Sequence, residues 1–390
     1  MDTVFYIGPS GLSASGPGVH ALHMARLIRS CGKRVRLICE QEGDAALSQG
    51  KSQEFPYTFW KKPRWKGKLG TAAWLFEQMF GGRAMAAVRL AALREKPQAI
   101  VLYSRNYGLG RRLLRYCRKN NIRLLYEIVD WFEPKDACDA LDRLLIRRAD
   151  KKARRLNVQA KNVLVISRYL ERYYKAQGCH VLFVPPVFSL QPDREITRHQ
   201  DAAGAKLRLV YAGSLGGGKD LLNPVLQALR RLNQETVRVS LDLIGPSEKE
   251  LAGALPGVSP ARIGIRAHGR LPHAQAIAQI AQADFGVLLR ENEQYAKAGF
   301  STKFAEAMSL GVPMICTKVG GADSVVTDGV DGVLLADNSE DTVRQTLERL
   351  LGYADAEILN MKKSAYQTAL AIFDEQAHIA PMQEFLSSLR

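Results

Sequence analysis

Apolar residues fall along this chain in two alternating rhythms. Short apolar-rich runs occur at TVFYIG (Thr3–Gly8), RVRLICE (Arg34–Glu40), QAIVLYS (Gln98–Ser104), RLLYEIV (Arg123–Val129), NVLVISR (Asn162–Arg168) and HVLFVPP (His180–Pro186). Between most of them lie stretches of helical period, such as GVHALHMARLIRSCG, where Leu22, Ala25 and Ile28 share one face. Apolar strands separated by helices imply a parallel sheet covered on both faces. The second half repeats the plan with LRLVYAG (Leu207–Gly213), RVSLDLIG (Arg238–Gly245), IGIRAHG (Ile263–Gly269), FGVLLR (Phe285–Arg290), VPMICT (Val312–Thr317) and GVLL (Gly332–Leu335). The pattern predicts two doubly wound α/β domains over 1–188 and 206–370. Residues 189–205, polar and weakly periodic with Pro192 and Gly204, are expected to link them, and a helix within 371–390 to return to the first domain. Ligands of such sheets bind at the carboxyl ends of the strands, so a cleft faced by both domains is the expected site.

Composition narrows the class. With 390 residues the chain exceeds the prior of about 100–200 per domain, and it is 46% apolar and 24% charged, as a globular protein is. No apolar run reaches the roughly 18–20 residues of a spanning helix. The opening MDTVFYIG enters a strand without the basic stretch of a signal peptide, so a cytoplasmic protein is expected. The six cysteines are scattered, without C-x-x-C pairs or histidine partners at zinc spacing, and neither a disulfide framework nor a zinc site is indicated.

The charge is lopsided. Residues 1–195 hold 35 Lys and Arg against 17 Asp and Glu, whereas the remainder holds 20 against 22. One half is therefore expected to meet an anionic surface. Within it, FPYTFWKKPRWKGKLGTAAWLFEQMF (Phe55–Phe80) interleaves Phe59, Trp60, Trp65, Trp74 and Phe76 with Lys61, Lys62, Arg64, Lys66 and Lys68. Rings at headgroup depth with cations over anionic lipid are how a peripheral protein holds a membrane, and Trp60, Lys61, Lys62, Arg64, Trp65 and Lys66 are assigned to membrane or acceptor contact. Nucleic-acid bases also stack on aromatics, and a plain basic loop has the same composition. Nucleic acid is not taken as a partner.

Two stretches of the second half carry anion-binding chemistry. In YAGSLGGGKDLLNPVLQAL a predicted strand ends in Gly213, Ser214 and a run of glycines, and Lys219 stands where the helix begins. Glycines let backbone N–H groups approach an anion, and the helix start and the lysine favour a phosphate there. In AGFSTKFAEAMSLGVPMICT, Gly299, Phe300, Ser301 and Thr302 precede a helix that carries Lys303 and Glu306. Glu306 lies among apolar positions, one turn into the helix. A carboxylate there either accepts from the diol of a ribose or pairs with Lys303 one turn back.

These segments, with LDLIGPSEKE, HGRLPHAQAIAQIAQADFGVLL and NVLVISRYLERYYKAQG, resemble the family 4 group of GT-B glycosyltransferases, most specifically over Val210–Leu335. The resemblance implies a GT-B fold of two Rossmann-like domains and retaining transfer from a nucleoside-diphosphate sugar without a required divalent metal. It also implies that Lys219 binds donor phosphate and Glu306 the ribose. Two positions depart from the common pattern: Ser214 stands where arginine is frequent, and Ala298 where glutamate is.

In the first domain, GPSGLSASGPGVHALHMA resembles the family's small-residue turn, which assigns Gly16 and Gly18 to the donor sugar or diphosphate. His20 and His23 on the following helix read as packing or surface residues. After the strand in LLYEIVDWFEP many members carry a polar histidine or acid; Glu127, Asp130 and Glu133 stand nearby here, and Asp130 and Glu127 are the catalytic candidates. Ser167 reads as a helix cap. The expected activity is transfer of a sugar to a cell-surface glycan or lipid-linked acceptor at an anionic membrane surface. The alternatives are a sugar-nucleotide epimerase of the same double fold and a nucleotide-sugar-binding protein without catalysis.

Overall fold

The structure is a computed structural model that describes residues 2–8, 16–41, 54–61, 67–201, 204–213, 220–255 and 257–389. The chain forms two compact units: residues 1–187 with 375–390, and residues 188–374.

Unit 1 holds a seven-stranded parallel sheet of β1 (Thr3–Ile7), β2 (Arg34–Gln41), β3 (Tyr57–Lys61), β4 (Ala99–Leu102), β5 (Arg123–Ile128), β6 (Asn162–Val165) and β7 (His180–Phe183), in the order β3-β2-β1-β4-β5-β6-β7. Crossing from β1 to β2 is α1 (Gly16–Ser30); α2 (Gly67–Phe80) and α3 (Gly82–Arg94) precede β4, α4 (Tyr107–Asn120) precedes β5, and α5 (Ala140–Lys151) precedes β6. One core layer buries Leu27 and Ile28 of α1 against Val4 and Val35, and the helix Gln376–Ser387 adds Met382, Phe385 and Leu386 to it. The strand β3 was not expected from the sequence. Its YTFWK alternates, with Tyr57 and Phe59 packed on the core, and it pairs in parallel with Leu37–Gln41 at the sheet edge.

Unit 2 holds a six-stranded parallel sheet of β8 (Leu207–Ala212), β9 (Val239–Ile244), β10 (Ile265–Gly269), β11 (Phe285–Leu288), β12 (Met314–Thr317) and β13 (Gly332–Leu335), in the order β10-β9-β8-β11-β12-β13. These are the strands expected there. The segment 189–205 does not behave as a free connector. Asp201 is buried in contact with Ser240 and with Arg266 at 2.7 Å, and Arg198 pairs with Asp284 at 2.7 Å. Its polarity is that of a strap held by ion pairs onto unit 2.

Both sheets reverse their strand order once, between β1 and β4 in unit 1 and between β8 and β11 in unit 2. The loops leaving those strands diverge to opposite faces, which opens a crevice at the carboxyl edge. Among the described residues no helix is long and apolar enough to cross a membrane.

Candidate functional site

In unit 2 the crevice begins at Gly213, whose N–H donates to the Ile244 carbonyl at 2.8 Å. A side chain here would collide with the Tyr211 hydroxyl and the Lys303 amine, each 2.5 Å from an ideal Cβ. Only glycine leaves the room that brings those groups together. The glycine-rich remainder of the turn, with Ser214 and Lys219, lies outside the described residues. Next to it stands Asp220, a residue the motif reading passed over. Its carboxylate accepts from Arg290 Nε at 2.8 Å and from the Tyr211 hydroxyl at 3.1 Å, and pairs with Lys303. Burial pushes the Asp220 carboxyl up, but Lys303 and Arg290 outweigh it and hold it below its ordinary range. The Lys303 amine also lies 5.0 Å over the Tyr211 ring. Arg290 follows the end of β11 and was also missed, although its place just past an apolar strand was the available signal.

Lys303 therefore does not pair with Glu306. The short helix Thr302–Met308 is capped by Ser301, whose hydroxyl accepts from the Phe304 N–H at 3.4 Å. This engages Ser301 locally, while Thr302 is exposed. Phe300 is a core residue whose ring meets Phe304 and Phe373 edge-on at 5.8 and 5.7 Å. Gly299 donates its N–H to the Tyr295 carbonyl at 3.0 Å. Glu306 is half-buried, and His273 Nε2 stands 3.9 Å from it. Burial pushes the Glu306 carboxyl up, and His273 only partly opposes this. A carboxylate so placed gains from a ligand that donates hydrogen bonds to it.

In unit 1 the carboxyl edge opens into a cavity of about 600 Å³. Gly8 after β1, Tyr103 after β4 and Asp130 after β5 line it, as do Trp60 and Trp131. Glu127 is not a free base. It is 5% exposed, accepts the Tyr6 hydroxyl at 2.6 Å on one oxygen and meets His20 Nε2 at 2.5 Å with the other. An accepting carboxylate puts the hydrogen on Nε2. Burial first, then the Glu127 charge, push the Tyr6 phenol well above its ordinary value, so it stays a donor. The buried trio ties α1 to β1 and β5, and His20 joins it as a partner of Glu127, packed edge-on to Tyr103 at 5.5 Å. Asp130 is half-buried and borders the open space. Gly16 opens α1 and is exposed, Gly18 is buried in its first turn, and Ser167 caps the helix Arg168–Ala176 by accepting from Leu170 at 3.3 Å.

The basic aromatic segment divides. Trp60, on β3, lines the cavity. The side chain of Lys61 and all of Lys62, Arg64, Trp65 and Lys66 lie outside the described residues. Exposed apolar surface is found further on, along α2, at Trp74 (41%), Phe76 (61%) and Phe80 (38%).

Residues 206–352 match the family model described as Glycosyl transferases group 1, and residues 15–186 match that of the Glycosyl transferase 4-like domain. An uncharacterized glycosyltransferase of Methanocaldococcus jannaschii is 26% identical over 151 residues, 37% of this chain and 36% of that protein's length. Among solved structures, sucrose-phosphate synthase from Thermosynechococcus elongatus superposes with a TM-score of 0.72 at 14% identity, covering 100% of this chain and 99% of that one. HepE of Anabaena, in complex with UDP and glucose, superposes with a TM-score of 0.68 at 17% identity, covering 100% of both chains. HepE has also been solved in complex with UDP-glucose.

Proposed function

The chain belongs to the GT-B glycosyltransferases of group 1, and from that premise we propose that it is a retaining, metal-independent enzyme using a nucleoside-diphosphate sugar as donor. Its acceptor on this reading is a glycan or lipid-linked sugar met at an anionic membrane surface. The observation that carries the reading is the charge arrangement at the crossover of unit 2. Two cations, Arg290 and Lys303, share the single carboxylate of Asp220 beside Gly213. Positive charge thus stands beside Gly213, where the sequence enters the glycine-rich turn. Cations fixed there would stabilise the diphosphate as it departs with its growing negative charge. Glu306, raised by burial and without a close donor among the described residues, suits the ribose diol. Asp130 lines the open cavity of unit 1, and it is assigned to the acceptor hydroxyl or the reacting sugar.

Metal independence is supported by the family resemblance and by the lack of an Asp-x-Asp pair in the sequence. The membrane reading is supported by the exposed aromatic residues of α2 and by the cationic excess of residues 1–195.

A panel of nucleotide sugars tests the donor reading, because a ligand that binds only the folded state raises its melting temperature. Since HepE binds UDP-glucose, uridine diphosphate sugars come first. A rise with one nucleotide family that survives EDTA is expected; no rise with any of them would remove the reading. Flotation with vesicles tests the membrane: recovery with anionic but not neutral lipid is expected, and a fall when Trp74 and Phe76 become alanine.

A further inference from the structure

The cavity of unit 1 contains a buried lysine that the reaction described above does not use. Lys152 is 4% exposed and lines that cavity. It begins a π-helical turn, Lys152–Leu156, that continues α5, an irregularity frequent at functional sites. Gly110 is what lets it in, since a Cβ there would come within 3.1 Å of Lys152 Cε. Its amine donates to Asn157 Oδ1 at 3.1 Å and lies 4.1 Å over the Tyr126 ring. Asn157 cannot turn away, because its amide nitrogen donates to the Tyr174 hydroxyl at 3.0 Å. An ammonium has three hydrogens to donate. Among the described residues no carboxylate lies within ion-pair distance of this one; Asp130 acts on it only from further off.

Arg148 stands one turn earlier on the same face of α5 and lines the same cavity. One end of its guanidinium donates to the Met79 carbonyl at 2.7 Å, and the group lies 5.3 Å over the Tyr107 ring. Its Nε is buried and has no partner among the described residues. The buried Lys152 amine and the half-buried Arg148, with its buried Nε, thus share a wall, and both have donors unfilled among the described residues. Most carboxylates around the cavity are already engaged. Glu127 holds Tyr6 and His20, Glu77 accepts from the N–H groups of Arg83 and Ala84, and Asp150 holds Trp131 and Arg154. Buried cations are tolerated when paired, and a cavity of this size falls within the roughly 300–1,000 Å³ of small-molecule sites.

We propose that Lys152 and Arg148 form a subsite that reads an anionic group, a phosphate or a carboxylate, carried by the acceptor sugar. The proposal rests on the reading that unit 1 takes the acceptor. The two sources of the anion, a phosphate linking a sugar to lipid or the carboxylate of an acidic sugar, present the same chemistry to this wall.

Calorimetric titration of the full chain with D-glucose 6-phosphate, D-glucuronate and D-glucose tests it. At least one of the two anionic sugars should bind tenfold or more tightly than glucose, and which one does so identifies the source. Lys152→Met and Arg148→Gln should each weaken that binding by about ten- to a hundredfold, the range of a charged hydrogen bond. The proposal is overturned if glucose binds as tightly as the anionic sugars, if neither anionic sugar saturates, or if inorganic phosphate alone binds and both variants bind it like wild type. Nucleotide-sugar binding, measured on the same samples, shows that the variants are folded. Its loss in wild type would remove the glycosyltransferase reading while leaving the anion result to stand.

Discussion

At the crossover point of unit 2, between β8 and β11, one carboxylate sits between two cations against a glycine that leaves no room for a side chain. At the equivalent point of unit 1, between β1 and β4, a carboxylate sits between a tyrosine and a histidine, and the space beyond is walled by aromatic rings. The topology is the same and the filling is not. Where backbone must approach an anion, glycine and paired charge suffice, and both can be read along a short stretch of chain. Where a pocket must fit a shape, its walls come from segments distant in sequence. The Glu127 partners, for instance, lie 121 and 107 residues away.

The comparison is broken most severely by removing the shared carboxylate of unit 2. Asp220→Ala strands Arg290 and Lys303 against each other, and removing one partner of a buried ion pair costs about 3–5 kcal/mol. Urea unfolding should register this as a loss in unit 2, and an unchanged midpoint would mean the three charges are solvated individually.

Glu306→Ala is expected to behave differently, because no close hydrogen bond is lost with it. Stability should hold, while donor affinity falls by about ten- to a hundredfold, equivalent to about 1.5–3 kcal/mol. There is a pH signature as well. Burial raises the Glu306 carboxyl in the free protein, and the ribose hydroxyls favour its charged form, so binding should release protons and tighten as pH rises through the acid range. Titration in buffers of different ionisation enthalpy would detect the release in wild type and its disappearance in the alanine variant.

In unit 1 the effects should separate the other way. Glu127→Ala leaves the Tyr6 hydroxyl and His20 buried without their acceptor, at about 1–3 kcal/mol of stability. Asp130→Asn should leave stability nearly unchanged and depress turnover. If Glu127→Ala folds like wild type and only turnover suffers, the trio is catalytic rather than a brace for α1.

The smallest effect is the titration of Lys152. Burial draws its amine down to about 7 from an ordinary 10.5. Between those values the unfolded chain holds more protons than the folded one, so this group makes stability rise with pH over that window. Lys152→Met lacks the contribution. The difference between the two proteins should therefore shift in favour of wild type as pH goes from about 7 to about 10, and a constant difference would mean the amine titrates normally.

The sheets were legible because a strand covered on both faces must be apolar throughout. The edge strand β3 was not, since alternation among lysines looks the same in a half-covered strand and in a basic loop. Residues 189–205 misled for a related reason. Polar residues held by buried ion pairs, as Asp201 is by Arg266, have the composition of a solvated linker. In unit 2, Gly213 and Glu306 stand out from the local pattern of the sequence. The choice of Lys303 between Glu306, three residues on, and Asp220, 83 residues back, depended on how β8 and β11 lie side by side. That the Phe300 ring packs in a core could not be read either, because a phenylalanine beside a binding loop and one in a core have the same neighbours in sequence.

The helix Gln376–Ser387 belongs to unit 1, although the whole of unit 2 precedes it in the chain. On the ribosome, where chains emerge at about 5–20 residues per second, the sheet of unit 2 can be completed while unit 1 still lacks Met382, Phe385 and Leu386. The core around Leu27 and Cys31 waits, with apolar surface uncovered, while residues 188–374 are made. The unit made first is thus the one finished last, and the interval is when a chaperone would have most to hold.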